Sequence, residues 1–495
     1  MHLVLCAIIA TFVFAPVASW ESCGIEDGGG LCPDGNTCCS VGNVPGKSSC
    51  ITQKKNAPNN MTSSCCTDDG MGMTGCGPGY RCVHEVPDSY FCEIVPDDEE
   101  RFGTDEEQSP IPPQRLPRYR LCSVPPASLQ KVHGLIIGSM NNKNTESTNT
   151  SGQLAYYSTM GSLDATDAET LFRHAKVRVA LIMIHGSGRN ADDYICCGVS
   201  SIPKEFSSTS VLVVAPRFLA PRDGPVNITA TMENGQHPPP LLEWNETDPI
   251  PHTWRYGANA INSEISSYDA MDTLLERLVL DNDRFPLLER VVVAGHSAGG
   301  QFTHRWSLTS SSQAWARDNT NYAGTLQRQV LIRVVVANPR SFCYLDGRRY
   351  VNGSLALPDH STISACPGYN TWEWGLDSGG RLPTPYKDRA LDTVGGKKRM
   401  IERYNSRDVV YLAGALDVEP VRSECEDDDF QGPNRRERSK RFFASLNEIY
   451  GASIHHRRLL VSGVPHDHCL MFQSAEGRIA LFGNNRDVAI THLIN

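Results

Sequence analysis

The run VVVAGHSAGG at residues 291–300 limits the possible folds of this chain more than any other segment. A β-branched run ends at Gly295, and Ser297 stands between Gly295 and Gly299 in the pattern G-x-S-x-G. The glycines allow a strand to turn sharply into a helix, because no Cβ obstructs the turn. A serine exposed at such a turn can act as a nucleophile if a base contacts it. The segment therefore predicts a strand–turn–helix unit with Ser297 as the candidate nucleophile.

Apolar runs and amphipathic stretches alternate over the last three quarters of the chain. Runs that are apolar on both faces are typical of parallel strands covered by helices. Six such runs cover residues 177–186, 211–218, 290–295, 331–338, 409–414 and 457–463. Helical spacing of apolar residues is present in 261–278 and again in 439–450. This alternation predicts an α/β fold with a doubly wound, mostly parallel sheet.

Candidate partners of Ser297 follow two of these runs. Asp417 comes just after 409–414, and His466 comes just after 457–463. Serine, acid and base in this chain order, each beyond the carboxyl end of a strand, are typical of a serine nucleophile on an α/β sheet. The Asp417–His466 interval implies an inserted segment between acid and base.

Other residues compete for these roles. His468 is an alternative base, and Glu424 or the run Glu426–Asp429 is an alternative acid. Asp408 precedes its strand, which places it at the wrong end of the sheet. His296 adjoins the nucleophile, and we expect it to orient the turn.

Residues 121–495 resemble the α/β-hydrolase fold family, within it serine hydrolases with an HGSG-type loop, here residues 185–188. The resemblance implies that Ser297 attacks a carbonyl carbon, that His466 is the general base and that Asp417 orients it. It also implies an oxyanion hole. Its expected backbone donors are those of Ala298 and of Gly186 or Ser187.

The implied activity is hydrolysis of a carboxylic ester of a small molecule or a lipid. A peptidase, a thioesterase or an acyltransferase would use the same residues, and a non-enzymatic adhesion protein on a hydrolase scaffold is a further alternative. Residues 219–259 and 341–407 exceed what the sheet needs, and we expect them to be cap insertions. Trp244, Trp254, Trp372 and Trp374 lie in them and either line a pocket or pack the insertions onto the core.

The first part of the chain indicates export. Residues 1–19 are apolar without lysine or arginine and are predicted to be a signal peptide, with an uncleaved anchor as the alternative. Ten cysteines lie between Cys23 and Cys92, a density typical of oxidising compartments. We therefore expect a secreted protein, with no transmembrane span after signal cleavage.

Residues 20–92 resemble the granulin (epithelin) repeat in the run CPDGNTCC, the doublet Cys65-Cys66 and the closing CGPGYRC. Ile51 and Gly75 replace one cysteine each of two further doublets, which leaves an even number. A generic disulfide knot is the alternative. The acidic, proline-rich residues 93–120 are predicted to be a linker.

Modification and partners follow from short motifs and from charge. Five N-x-[ST] sequons are candidate glycosylation sites: Asn60, Asn149, Asn227, Asn245 and Asn352. A net charge of −10 gives no reason to expect nucleic acid as a partner. The cysteine-rich module is expected to bind a protein or a glycan.

Seven of the 18 cysteines lie beyond residue 120. We hypothesise a Cys425–Cys469 bridge, because both cysteines follow candidate site residues, and less strongly a Cys343–Cys366 bridge. The chain has no phosphate-binding or dinucleotide motif, and its histidines show no recognised metal spacing. We therefore expect neither a cofactor nor a metal.

Overall fold

The computed structural model describes residues 131–138, 151–207, 209–226, 228, 238–245, 253–317, 328–351, 353–378, 385–421 and 430–484. For residues 20–94 it describes the backbone of the strands alone. The chain divides into two compact units, Met1–Ile111 and Pro112–Asn495. The predicted signal peptide and nearly all of the predicted linker lie outside the described residues.

Short antiparallel strands form the described part of the first unit. They are β1 (Trp20–Ser22), β2 (Leu31–Pro33), β3 (Asn36–Ser40), β4 (Ser48–Thr52), β5 (Cys65–Thr67), β6 (Met73–Gly75), β7 (Tyr80–Val86) and β8 (Ser89–Ile94). Consecutive strands pair two by two. In register, Cys38 is opposite Cys50 and Cys82 is opposite Cys92.

Each of the six predicted apolar runs forms a strand of one central sheet in the second unit. Its strands are β9 (Val132–Gly138), β10 (Ser151–Ser158), β11 (Val179–Ile184), β12 (Val211–Arg217), β13 (Arg290–His296), β14 (Leu331–Ala337), β17 (Asp408–Gly414) and β18 (Arg457–Val461). A separate hairpin contains β15 (Arg349–Val351) and β16 (Ser354–Ala356).

The order across the central sheet is β18-β17-β14-β13-β11-β12-β10-β9. β10 is antiparallel to both of its neighbours, and the strands from β12 to β18 pair in parallel. The predicted doubly wound, mostly parallel sheet is therefore confirmed. The carboxyl ends of its parallel strands meet at one edge, where the candidate residues lie.

Ten α-helices are described. They are α1 (Ala168–His174), α2 (Ala191–Ser201), α3 (Ser267–Val279), α4 (Ala298–Thr309), α5 (His360–Ala365), α6 (Pro385–Val394), α7 (Lys397–Asn405), α8 (Arg435–Tyr450), α9 (His468–Gln473) and α10 (Ala475–Phe482). No helix of these described segments is both long and apolar enough to cross a bilayer.

Helix α3 begins later than the periodicity over 261–278 predicts. Ser266 caps the helix, because its Oγ accepts the Tyr268 N–H at 3.0 Å. The Asp269 carboxylate accepts the Ser266 N–H in return, at 3.2 Å. This capping box fixes the first turn, so the helix starts at Ser267.

The tryptophans of the two insertions pack inside the domain. Trp244, Trp254 and Trp372 are buried, and Trp374 is half-buried. The indole N–H of Trp372 donates to the carbonyl of Tyr256 at 3.0 Å, which joins the second insertion to the first. These contacts favour packing over pocket lining as the role of the three buried rings.

The second insertion, 341–407, is attached to α3 and α4. Tyr386 of α6 donates to the buried Asp272 carboxylate of α3, and burial raises the pKa of Asp272 to about 7. Arg305 of α4 donates to the carbonyl of Glu373 at 2.9 Å.

Both hypothesised disulfide pairings are wrong. Cys469 bonds to Cys197, with their Cα atoms 5.2 Å apart, because α9 packs directly on α2. Cys343 is a free, buried thiol whose pKa burial raises to about 11. Cys366 is disulfide-bonded, but not to Cys343. Cys425 lies outside the described residues.

Candidate active site

The turn at Ser297 has the backbone that the glycine pattern predicts. Ser297 follows β13 directly and has φ 58° and ψ −117°, a conformation rare for a residue with a side chain. Its N–H donates to the Ala337 carbonyl at 3.0 Å, which holds the turn against the end of β14. A Cβ on Gly299 would overlap the carbonyl oxygen of Ile184 in β11. The close approach of helix and sheet therefore requires glycine at that position.

Asp417, His466 and Ser297 form one chain of hydrogen bonds. His466 Nδ1 lies 2.7 Å from Asp417 Oδ2, and His466 Nε2 lies 3.0 Å from Ser297 Oγ. Asp417 is fully buried, whereas 29% of the His466 side chain is exposed. A guanidinium nitrogen of Arg435 lies 3.4 Å from the other Asp417 oxygen. The carboxylate is therefore positioned to keep the proton on Nδ1 and leave Nε2 free to accept from Ser297.

The turn that follows β11 lies on the other side of Ser297. The Gly186 carbonyl accepts the Arg189 N–H at 3.2 Å and lies 2.8 Å from His185 Nδ1. His185 Nε2 accepts the Phe218 N–H at 3.0 Å, so the hydrogen is on Nδ1 and points at Gly186. Burial lowers the pKa of His185 to about 4, which keeps the ring neutral.

Arg189 makes further contacts in the same turn. It has φ 54° and is buried. Its Nε and Nη2 each lie 2.9 Å from an oxygen of Asp223, and its Nη1 donates to the Ser187 carbonyl at 3.2 Å. Burial opposes ionisation of Asp223, but the hydrogen bonds from Arg189 keep the pKa of that carboxyl below its usual value. The sequence analysis did not identify Arg189 or Asp223, and no motif marks either residue.

The second unit has the α/β-hydrolase fold. Its sheet is mostly parallel, and the sharp turn at Ser297 joins β13 to α4.

No protein-family model and no curated protein matches the chain. Among solved structures, the LpqC poly(3-hydroxybutyrate) depolymerase of Bordetella parapertussis is 16% identical, with a TM-score of 0.39, covering 74% of this chain and 96% of that one. The poly(aspartic acid) hydrolase-1 of Sphingomonas sp. KT-1 is 16% identical, with a TM-score of 0.38 and coverage of 69% and 97%. An S-formylglutathione hydrolase of Agrobacterium tumefaciens is 13% identical, with a TM-score of 0.32 and coverage of 72% and 96%. These neighbours are hydrolases, but such distant likenesses do not indicate the substrate of this chain.

The alternative base is oriented toward helix α2 of the hydrolase-fold unit. The His468 ring stacks on Tyr194, with centroids 4.1 Å apart, and its Nε2 lies 3.0 Å from Asp193 Oδ2. With the Cys197–Cys469 bridge, the side chains of His468 and Asp193 form a group whose four ligand-type atoms lie within 4.8 Å of one another. Two of those four atoms are sulfurs of a disulfide, which lack the thiolate charge that binds metals.

The alternative acids are placed differently. Asp408 lies at the amino end of β17 and pairs with Arg333 at 2.8 Å, so it belongs to the sheet core. Glu424 and Glu426–Asp429 lie outside the described residues. Of the expected oxyanion donors, Ala298 is the first residue of α4, and Gly186 lies beside the Tyr194 hydroxyl, which would be 3.0 Å from a Cβ at that position.

His296 packs beneath the base. Its ring centroid lies 4.6 Å from that of His466, and its Nδ1 lies 3.5 Å from the Tyr194 hydroxyl. Complete burial, reinforced by His466, holds the pKa of His296 well below its usual range. The ring is therefore neutral and packs against His466.

Asn338 is a third residue at the site that was not identified from the sequence. It follows β14 with φ 42°, and its Oδ1 accepts the Gly414 N–H at 2.8 Å. Its side-chain amide lies 3.5 Å from the Pro465 carbonyl, next to His466. Asn338 therefore contacts the loops of both Asp417 and His466. Asparagine tolerates a positive φ, so an asparagine just after a strand was an available signal.

One candidate glycosylation site, Asn245, lies in the described residues and is half-buried. Asn60, Asn149, Asn227 and Asn352 lie outside them.

Proposed function

We propose that this chain is a serine hydrolase that cleaves a carboxylic ester through an acyl-enzyme on Ser297. The observation that carries the proposal is the continuous contact from the buried Asp417 through His466 to Ser297, at 2.7 and 3.0 Å. These distances lie within hydrogen-bond range, as a nucleophile, its base and the orienting acid require.

In the proposed first step, Ser297 Oγ bonds to the substrate carbonyl carbon while its proton moves to His466 Nε2. Asp417 stabilises the resulting imidazolium through Nδ1–H. The tetrahedral intermediate collapses when its ester C–O bond breaks, and the alcohol leaves with the proton from Nε2. A water molecule then attacks the acyl-enzyme by the same route, which releases the acid and restores Ser297.

Backbone amides are proposed to stabilise the oxyanion. Ala298 begins α4, and the first amides of a helix have no intrahelical acceptor. The Tyr194 hydroxyl lies beside Gly186, and its proximity favours Ser187 over Gly186 as the second donor.

A fluorophosphonate probe and a panel of p-nitrophenyl esters of graded chain length test the proposal. We expect the probe to label Ser297 and the esters to be hydrolysed, and both signals to be lost in Ser297→Ala. Ser361→Ala, which changes an exposed serine of α5, is the matched control. Equal labelling of Ser297→Ala would contradict the proposal. Labelling without ester hydrolysis would favour a peptidase or an acyltransferase.

We also propose that the protein is secreted and that its first unit is a granulin-like module which binds a protein or a glycan. The disulfide-bonded cysteines of the second unit support an oxidising compartment. The paired short strands, with Cys38 opposite Cys50 and Cys82 opposite Cys92, support a disulfide-rich hairpin module. Expression in a secreting host, followed by N-terminal sequencing and glycosidase treatment, tests cleavage after residue 19 and the use of the five sequons. Intact, unglycosylated protein retained in the cells would contradict secretion.

A further inference from the structure

The turn from Gly186 to Arg189 is the part of the site whose backbone must be fixed most accurately. An amide that binds an oxyanion contributes only if it points at the developing charge before the reaction begins. A short turn rich in glycine has no intrinsic preference for one orientation. Contacts from outside the backbone must therefore select it.

Two carbonyls of this turn are held by donors. The Gly186 carbonyl receives the Arg189 N–H at 3.2 Å, and the Ser187 carbonyl receives Arg189 Nη1 at 3.2 Å. In a trans peptide the N–H points opposite to the carbonyl. Fixing these carbonyls therefore fixes the N–H groups of Ser187 and Gly188, in a turn where Gly186 approaches Ser297 closely.

Arg189 is itself held rigidly. Asp223, beyond the end of β12, accepts two hydrogen bonds of 2.9 Å from the guanidinium. The Ala220 N–H binds the same carboxylate at 2.9 Å. The arginine is buried, so its ion pair with Asp223 is shielded from solvent. Its backbone has a positive φ.

We propose that Arg189 is a positioning residue for the oxyanion hole and that Asp223 acts through it. The guanidinium ties the Ser187–Gly188 peptide plane to a carboxylate on another element, while the Arg189 N–H holds the Gly186–Ser187 plane. With both planes that flank Ser187 held, the Ser187 N–H keeps one direction toward the substrate. This inference rests on the proposed hydrolase function. The residue contacts no reacting atom, so it differs in kind from Ser297, Asp417 and His466.

The test uses Arg189→Gly, because glycine accepts the positive φ and removes only the side chain. We expect kcat for p-nitrophenyl esters to fall about 10- to 100-fold with KM within about threefold, since a small misplacement costs a factor of that order. The matched control is Arg284→Ala. Arg284 also joins one aspartate, Asp281, to one carbonyl, that of Ala165, at 3.3 and 2.7 Å.

A pair of substrates separates positioning from general loosening. A thionoester has sulfur in place of the carbonyl oxygen, and sulfur accepts hydrogen bonds weakly. The wild type should prefer the oxygen ester strongly, and Arg189→Gly should lose much of that preference, whereas Arg284→Ala should keep it. Asp223→Asn should act in the same direction, and the double variant should be no worse than Arg189→Gly, because the two residues act as a unit.

Failure of the proposed function and failure of the positioning role of Arg189 would give different results. A wild type that neither hydrolyses esters nor is labelled at Ser297 would refute the function. An active wild type whose Arg189→Gly variant keeps its kcat, or loses activity with an unchanged preference for the oxygen ester, would refute the positioning role alone.

Discussion

The two loops beside Ser297 are held by different kinds of contact. On the base side, His466 is held by another side chain, the buried carboxylate of Asp417. On the turn side, donors from His185 and Arg189 hold backbone carbonyls. A side-chain relay fails when one member is removed, whereas a backbone turn with several donors loosens by degrees. We therefore expect large, all-or-none effects on the base side and graded effects on the turn side.

The sharpest test on the base side compares two histidines two positions apart. His466→Gln should lower kcat by about 10⁵–10⁶, the scale seen when a triad base is removed. His468→Gln should change kcat less than tenfold, because His468 contacts Tyr194 and Asp193 of α2. Steady-state kinetics on one ester measures both variants. Equal losses of kcat in the two variants would contradict the assignment of His466 as the base.

The next test compares the two aspartates of β17 and its loop. Asp417→Asn should lower kcat by about 10⁴ with little change in stability, because the amide favours the wrong histidine tautomer. Asp408→Asn should do the reverse and cost roughly 3–5 kcal/mol of unfolding free energy, since it removes the buried carboxylate charge that pairs with Arg333. Kinetics together with urea unfolding separates the two. A stable but inactive Asp408→Asn would contradict the assignment.

The bridge between the two sides should have a smaller effect. Cys197 lies in α2, which follows the turn, and Cys469 lies in α9, which follows His466. The double variant Cys197→Ala, Cys469→Ala should lose about 2–4 kcal/mol of unfolding free energy. Cys343→Ala, which removes a buried thiol but no bridge, is the control and should lose about 1 kcal/mol. An unchanged urea midpoint in the double variant would show that the bridge does not support the fold.

Each side also relies on one buried neutral histidine, His185 at the turn and His296 beneath the base. Burial depresses both pKa values, so the unfolded chain takes up protons before the folded domain does. Stability should be full above pH about 6.5 and fall as the pH approaches 4. At pH 5, His185 alone should lower the free energy of unfolding by roughly 1–2 kcal/mol relative to its value above pH about 6.5. In His185→Asn, which retains a donor, urea unfolding should depend less on pH. An unchanged dependence of the unfolding free energy on pH in this variant would contradict the prediction.

The sheet and the convergence of the three candidate site residues could be predicted because local patterns determine them. Six apolar runs became strands, and residues at strand ends such as Asp417 and His466 converge because parallel strands share an edge. By contrast, β9 and β10 pair antiparallel at the sheet margin, and no uninterrupted apolar run marks them. The surplus length of the chain indicated the two expected insertions. The elements against which these segments pack could not be predicted from it.

The supports of the site could not be predicted, because they depend on contacts between distant segments. Arg189 and Asp223 are ordinary charged residues until the turn after β11 meets the segment after β12. Cys469 bonds to Cys197 because α9 packs against α2. The position of Cys469 near His466 in the sequence gave no indication of this pairing.

The Cys197–Cys469 bridge also orders events in time. Its cysteines are 272 residues apart, so at about 5–20 residues per second a ribosome needs on the order of 10–50 s to make the second after the first. Ser297 is synthesised within that interval, 169 residues before His466, so its turn can form while His466 does not yet exist. If Ser297 is the nucleophile that we propose, the nascent chain should hold it in an inert form until His466 has been synthesised.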